Sequence, residues 1–238
     1  MQAFDRTALL IGEENLKKLT TKSVAVFGIG GVGGFTVEAL VRSGVQKIAI
    51  FDSDKVSLTN INRQIIALTN KVGLDKTAVM KDRILSINPK AEVECNNIFY
   101  LPENADSVDL TKYDYIIDAI DTVSSKLELI SRAKNLNIPI ISCMGTGGKL
   151  HPELLKVDYI ENTKGCPLAR VIRRELKAKN INKVKVVYSE EECKMDASLL
   201  DTAEKKDNGR VAPASMVFVP SVAGILLAKE VVLDLIKN

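Results

Sequence analysis

The run Gly28-Ile29-Gly30-Gly31-Val32-Gly33 spaces its glycines as G-x-G-x-x-G between a β-branched apolar stretch and a helix-like one. Gly28 permits a tight turn. Gly30 lets the backbone approach a phosphate, and Gly33 lets a helix pack close to its strand. Free N–H groups at the start of the following helix then face the phosphate. Asp52 ends the next strand, at the spacing of a carboxylate that binds ribose. A strand, this turn, a helix and an acidic strand end together predict nucleotide binding.

The turn does not distinguish a dinucleotide from a triphosphate. The long polar passage from Asp52 to Gln64 separates the two better. A helix starts sooner in a simple dinucleotide domain. Here Arg63 and Lys76 could bring two cations to one phosphate chain, and arginine grips phosphate with two bonds. Asp121 follows the strand-like Ile116–Ile120, which places a carboxylate at the carboxyl edge of a sheet. Magnesium takes one or two carboxylates together with phosphate oxygens, so Asp121 could hold it. Taken singly, each of these charges also fits an ordinary solvated surface.

Short β-branched runs alternate with helical stretches, the pattern of an α/β fold with a mainly parallel sheet. Strands are predicted at Ser23–Phe27, Lys47–Phe51, Ala91–Cys95, Tyr115–Asp118 and Pro139–Cys143. Helices are predicted from about Val32 to Ser43, then over Lys76–Ile87 and Ser124–Asn135. Beyond Gly148 the character changes. Ala169–Lys179 is an amphipathic helix, and Lys183–Tyr188 reads as a strand of antiparallel type. Glu190–Arg210 is polar and aperiodic, and is expected to be a mobile crossover loop. A last helix starts near Pro220. The expected whole is a Rossmann-like nucleotide-binding domain with antiparallel C-terminal strands, a single unit over residues 1–238.

The formal charge is +3 with 26% charged residues, so any nucleic-acid role rests on local clustering. Cys95, Cys143, Cys166 and Cys193 form no C-x-x-C pair, and His151 is the one histidine. No zinc site is expected from that pattern, and a reducing cytoplasm fits it. Cys95 and Cys143, at strand ends, read as core residues. Cys193 would be reactive if Lys194 lowered its pKa, but none of the cysteines has a histidine nearby in sequence, and His151 reads as structural. The apolar stretch 217–236 carries Lys229, Glu230 and Asp234, which suits a core helix better than a membrane span.

Gly28–Gly33, Asp52, Asn60, Arg63-Gln64, Lys76 and Asp121 resemble the motifs of the ubiquitin-activating-type adenylation superfamily, in its ThiF/MoeB/HesA-type branch. The resemblance implies that Gly28, Gly30, Gly31 and Gly33 hold ATP and that Asp52 binds its ribose. It implies that Asn60, Arg63 and Lys76 bind the phosphates, and that Asp121 coordinates magnesium. Arg6 resembles an arginine that crosses a homodimer interface to the neighbour's ATP. Carrier-protein activators of this type usually have two C-x-x-C pairs, which this chain lacks. Met144–Pro152, Cys166–Leu176 and Phe218–Gly224 instead look like the tRNA threonylcarbamoyladenosine dehydratase branch. Members commonly have Ala-Gly-Asn-Lys where this chain has Thr146-Gly147-Gly148-Lys149, and Asp-Pro where it has His151-Pro152.

That branch implies an ATP-dependent ring closure on a modified adenosine in tRNA. The threonyl carboxylate attacks the α-phosphorus of ATP, pyrophosphate leaves, and an acyl-adenylate forms. A carbamoyl nitrogen then closes the ring and expels AMP. Arg63, Lys76, Arg6 and Asp121 would align the groups and neutralise phosphate charge. The branch also leaves room for a sulfur-relay protein as a further partner. For the tRNA, residues 164–185 hold eight basic residues against the single acid Glu175, and Arg170, Arg173, Arg174 and Lys177 are the candidate contacts. A solvated helix face is the plainer reading of the same charges. Activation of a ubiquitin-like or sulfur-carrier protein, and NAD-dependent redox chemistry, share the fold and stay open at this point.

Overall fold

The computed structural model describes residues 3–193 and 214–237. One seven-stranded sheet organises them, in the order β3-β2-β1-β4-β5-β7-β6. The strands are β1 (Ser23–Phe27), β2 (Lys47–Phe51), β3 (Glu92–Asn96), β4 (Tyr115–Asp118), β5 (Ile140–Cys143), β6 (Leu155–Tyr159) and β7 (Lys185–Ser189). The helices are α1 (Asp5–Ile11), α2 (Glu13–Thr21), α3 (Gly33–Ser43), α4 (Lys76–Ile87), α5 (Val123–Asn135), α6 (Pro167–Ala178) and α7 (Phe218–Lys237). Residues 194–210 of the expected crossover loop lie outside the described residues.

β1 pairs with β2 on one side and β4 on the other, both parallel. The chain thus winds outward from β1 in two directions, and the crevice between the ends of β1 and β4 is a topological switch point. The central strands are buried on both faces, which explains their continuous β-branched runs. On one face the core gathers Leu40, Met80 and Leu227 from α3, α4 and α7. On the other it gathers Leu129 and Ile172 from α5 and α6. α7 seats itself on the start of α3 at Gly224, where a Cβ would come within 2.3 Å of the Val32 carbonyl oxygen.

The C-terminal strands are more intricately placed than the sequence shows. β7 runs parallel to β5 and antiparallel to β6. β6 itself, Leu-Lys-Val-Asp-Tyr, was not anticipated, because its alternation is that of a half-exposed edge strand with charges on it. α1 and α2 were likewise not anticipated. Cys95 corrects another expectation: it is exposed, because β3 is the opposite edge strand. Among the described residues, no helix is long and apolar enough to cross a membrane.

Candidate functional site

The glycine turn leaves β1 with Gly28 at φ +89°, a conformation L side chains rarely adopt. A Cβ on Gly28 would lie 2.8 Å from the Ala119 carbonyl oxygen, and one on Gly33 would lie 1.8 Å from the Gly28 carbonyl oxygen. These two glycines therefore close the turn on itself and press it against the end of β4. Gly30 differs: a Cβ there would meet nothing closer than Gln64 Nε2 at 3.9 Å. Val32, at the N-cap of α3, offers no side-chain hydrogen bond to the helix. The Gly34 N–H donates to the Gly30 carbonyl at 3.1 Å, and no side chain caps the helix start.

Asp52 stands at the end of β2 and holds the turn directly. Its Oδ2 accepts the Ile29 N–H at 2.6 Å and its Oδ1 accepts the Asp54 N–H at 2.9 Å. Burial pushes its carboxyl above the usual value, opposed by Lys76 and by those two N–H groups. Each carboxylate oxygen can accept more than one donor, so a ribose hydroxyl can be added. Lys76 begins α4 with its side chain 5% exposed; its Nζ lies 2.7 Å from Asp54 Oδ2 and 3.8 Å from Asp52 Oδ1. Asp54 as the closer partner was not foreseen, although its place two residues after Asp52 was visible.

The polar passage after β2 folds back over the glycine turn. Asn60 is buried, and its Oδ1 accepts the Ser57 N–H at 3.1 Å in a reciprocal capping box. Arg63 is half-buried and donates to the Thr59 carbonyl at 2.8 Å and to Asn62 Oδ1 at 2.9 Å. Its Cγ would lie 3.4 Å from a Cβ on Gly31, so its stem lies against the turn. Gln64 is buried, and its Oε1 has no hydrogen-bond partner in the structure.

Asp121 is exposed, three residues past the end of β4 and just before the N-cap of α5. The β1–β4 pairing, with Phe27 opposite Asp118, brings this segment to the glycine turn. Among the described residues, no three His, Cys, Asp or Glu side chains cluster into a metal cage. Magnesium shared between one carboxylate and phosphate oxygens needs none. The donor set therefore fits that ion together with a nucleotide.

Arg6 does not join the site of its own chain. It lines an apolar cavity of about 400 Å³ with Leu10, Arg42, Ser43 and Val232. Arg42 and Ser43 are at the far end of α3 from the glycine turn, about 14–15 Å from Gly33 at 1.5 Å per residue.

The α6 candidates divide. Arg170, Arg174 and Lys177 are exposed. Arg173 is turned back: its guanidinium donates to the Thr163 carbonyl at 2.7 Å and to Thr163 Oγ1 at 2.6 Å. Arg174 pairs with the neighbouring Glu175 at 2.6 Å, and Lys185 is held by Asp234 at 2.6 Å and Glu230 at 3.3 Å. The basic face is thinner than the sequence count implies. Cys143 is buried, which pushes its thiol up to about 12. Cys193 is exposed, and Lys194 lies outside the described residues. His151 is exposed, with its Nδ1 2.9 Å from Glu153 Oε1.

The ThiF family model matches residues 4–236. The chain is 39% identical to a tRNA threonylcarbamoyladenosine dehydratase of Bacillus subtilis (strain 168), over 100% of this chain and 96% of that one. It is 41% identical to the enzyme of that name from Escherichia coli (strain K12), over 74% of this chain and 66% of that one. The solved structure of the E. coli tRNA N6-threonylcarbamoyladenosine dehydratase in complex with ATP superposes with a TM-score of 0.87 at 33% identity, covering 99% of this chain and 94% of the other. The glycine turn, the charges around it and these likenesses agree, and the chain belongs to the ThiF family, among its tRNA threonylcarbamoyladenosine dehydratases.

Proposed function

We propose that this chain catalyses the ATP-dependent dehydration of threonylcarbamoyladenosine in tRNA, by way of an acyl-adenylate. The carrying observation is the meeting of the glycine turn, Arg63, Lys76 and Asp121 at the β1–β4 switch point. A carboxylate oxygen is a poor leaving group, and AMP is a far better one. Once the carboxylate has displaced pyrophosphate, attack by the carbamoyl nitrogen can expel AMP and close the ring. The protein must align these groups and balance phosphate charge.

In this reading Gly30, Gly31 and the start of α3 receive the phosphates, and Asp52 accepts a ribose hydroxyl. Arg63 and Lys76 supply positive charge, and Asn60 shapes the polar passage beside them. Asp121 holds magnesium, which would neutralise charge on the phosphate oxygens. The exposed residues Arg170, Arg174 and Lys177 attract tRNA phosphates, and a tRNA substrate places the work in the cytoplasm.

A homodimer completes the site. α1 has no buried residue, and Leu9 and Leu10 on it are 88% and 85% exposed. Covering these leucines with a second copy would carry Arg6 toward the partner's nucleotide, a place it does not reach in its own chain. The 1–238 span acts as one adenylation domain built on the single sheet. Mass spectrometry of the modified nucleoside, after incubation with tRNA and MgATP, tests the whole reading. ATP-dependent loss of one water is expected. Intact nucleoside, with pyrophosphate exchange stimulated by a carrier-protein C-terminus instead, would overturn it.

A further inference from the structure

We infer that Asp118, Lys126 and Ser142 are a buried positioning network, holding the peptide that places Asp121 and the glycine turn. The inference rests on the role given to Asp121 above. Asp118 and Lys126 are fully buried, with Nζ 3.0 Å from Oδ2. Taking two charges out of water is costly unless their remaining donors and acceptors are satisfied. Here they are satisfied largely on one residue. Lys126 Nζ donates to the Ile120 carbonyl at 2.8 Å, and the Ile120 N–H donates to Asp118 Oδ1 at 3.1 Å. Ser142 Oγ donates to Asp118 Oδ2 at 2.5 Å, tying the pair to β5.

The neighbouring residue is held from the other side. The Ala119 N–H donates to the Phe27 carbonyl at 2.8 Å, and the Ala119 carbonyl oxygen is the atom that a Cβ on Gly28 would strike. Ala119 and Ile120 are therefore fixed between the network and the glycine turn, and Asp121 is the next residue. Cohesion alone does not require this arrangement, since an apolar trio of similar volume often stabilises a core as well as a buried ion pair does. Bonds to both the N–H and the carbonyl of the residue before Asp121 are what positioning requires.

The test uses the full chain with Lys126→Met and the charge-neutral pair Asp118→Asn/Lys126→Met. The pair leaves no buried charge unmatched, so it separates positioning from folding. The pair variant should melt close to the parent. Amide exchange over residues 119–122 should quicken by about 3- to 10-fold, the effect of losing one hydrogen bond. Turnover should fall by about 100-fold, and half-saturation should need more magnesium. Parent-like exchange at 119–122 together with parent-like magnesium dependence would overturn the network's role. If neither variant folds, Ser142→Ala decides, with smaller changes expected in the same direction and unchanged exchange counting against. Exchange is read without turnover. A parent chain that fails to dehydrate tRNA would therefore count against the proposed function, while the exchange result still judges the network.

Discussion

The carboxyl edge of the sheet and the outer face of α6 use charge in opposite ways. At the edge, Lys76, Asp52, Asp118 and Lys126 are largely or wholly buried, and most of them hold backbone as well as a partner. On α6, Arg170 and Lys177 are exposed and Arg174 pairs with its neighbour Glu175 at the surface. Low local dielectric makes a satisfied buried network stiff, whereas an exposed pair contributes at most about 1 kcal/mol. The edge can define positions for reacting atoms. The helix face can supply attraction, which does not demand a fixed geometry.

The largest test of that contrast is Asp121→Ala. Turnover should fall by about 100- to 1,000-fold with an unchanged melting temperature. Initial rates within a few-fold of the parent would remove the metal role. Next comes subunit mixing. Arg6→Ala and Asp121→Ala chains, each inactive alone, should recover part of the activity as heterodimers, because one composite site is then intact. Confirmed heterodimers without activity would return Arg6 to the surface.

Two glycines sharpen the comparison within the edge itself. Gly33→Ala should lower stability by about 1–3 kcal/mol or more, because its Cβ would meet the Gly28 carbonyl oxygen at 1.8 Å. Gly30→Ala should leave thermal stability alone and weaken ATP binding in calorimetric titration, since the space beside it is open. The reverse ranking would contradict the cradle.

On α6 the expected effects are smaller. Arg170→Ala and Lys177→Ala should each reduce the slope of log tRNA affinity against log salt by about 1. Arg173→Ala should instead lower the melting temperature, through loss of its contacts to Thr163, and leave the slope unchanged. Equal slope changes at all three positions would erase the division between Arg173 and the exposed residues of α6.

The smallest effect is at Glu38, which accepts from Arg83 at 2.6 Å and from Arg42 at 2.7 Å. Burial pushes its carboxyl up, but the hydrogen bonds and charges of the two arginines outweigh it and hold the carboxyl below 4.5. The folded value is depressed, so the stabilisation is present above pH 4.5 and is lost as pH falls through the folded value. Glu38→Gln should cost about 1 kcal/mol at neutral pH, given the exposure of both arginines. Thermal melts should show that cost shrinking in acid, and a constant cost would deny the linkage.

Much of the nucleotide end was legible because its signals are local. A left-handed Gly28, a helix starting at Gly33, and Asp52 closing the next strand all lie in one strand–turn–helix–strand unit. β2, α4 and β4 were located to the residue, because β2 and β4 are short continuous apolar runs and α4 stops at Asn88-Pro89. The C-terminal part was harder. β6 carries charges on an edge strand, and on α6 Arg173 turns back to Thr163, ten residues away, while Arg174 pairs with the adjacent Glu175. Nothing along the chain marks Lys126 as buried, because its partner Asp118 is on a different element.

By itself, then, the sequence located the G-x-G-x-x-G turn, the acidic Asp52 after the next strand and the cations Arg63 and Lys76, since residue type and short spacing are read along the chain. Only the tertiary structure decided which residues surround that turn. Pairing of β4 with β1 brought Asp121 and the Asp118–Lys126 network to it, and the orientation of α3 left Arg6 at the far end. The physical reason is that strand order and charge burial depend on contacts between distant segments, and local spacing carries no record of them.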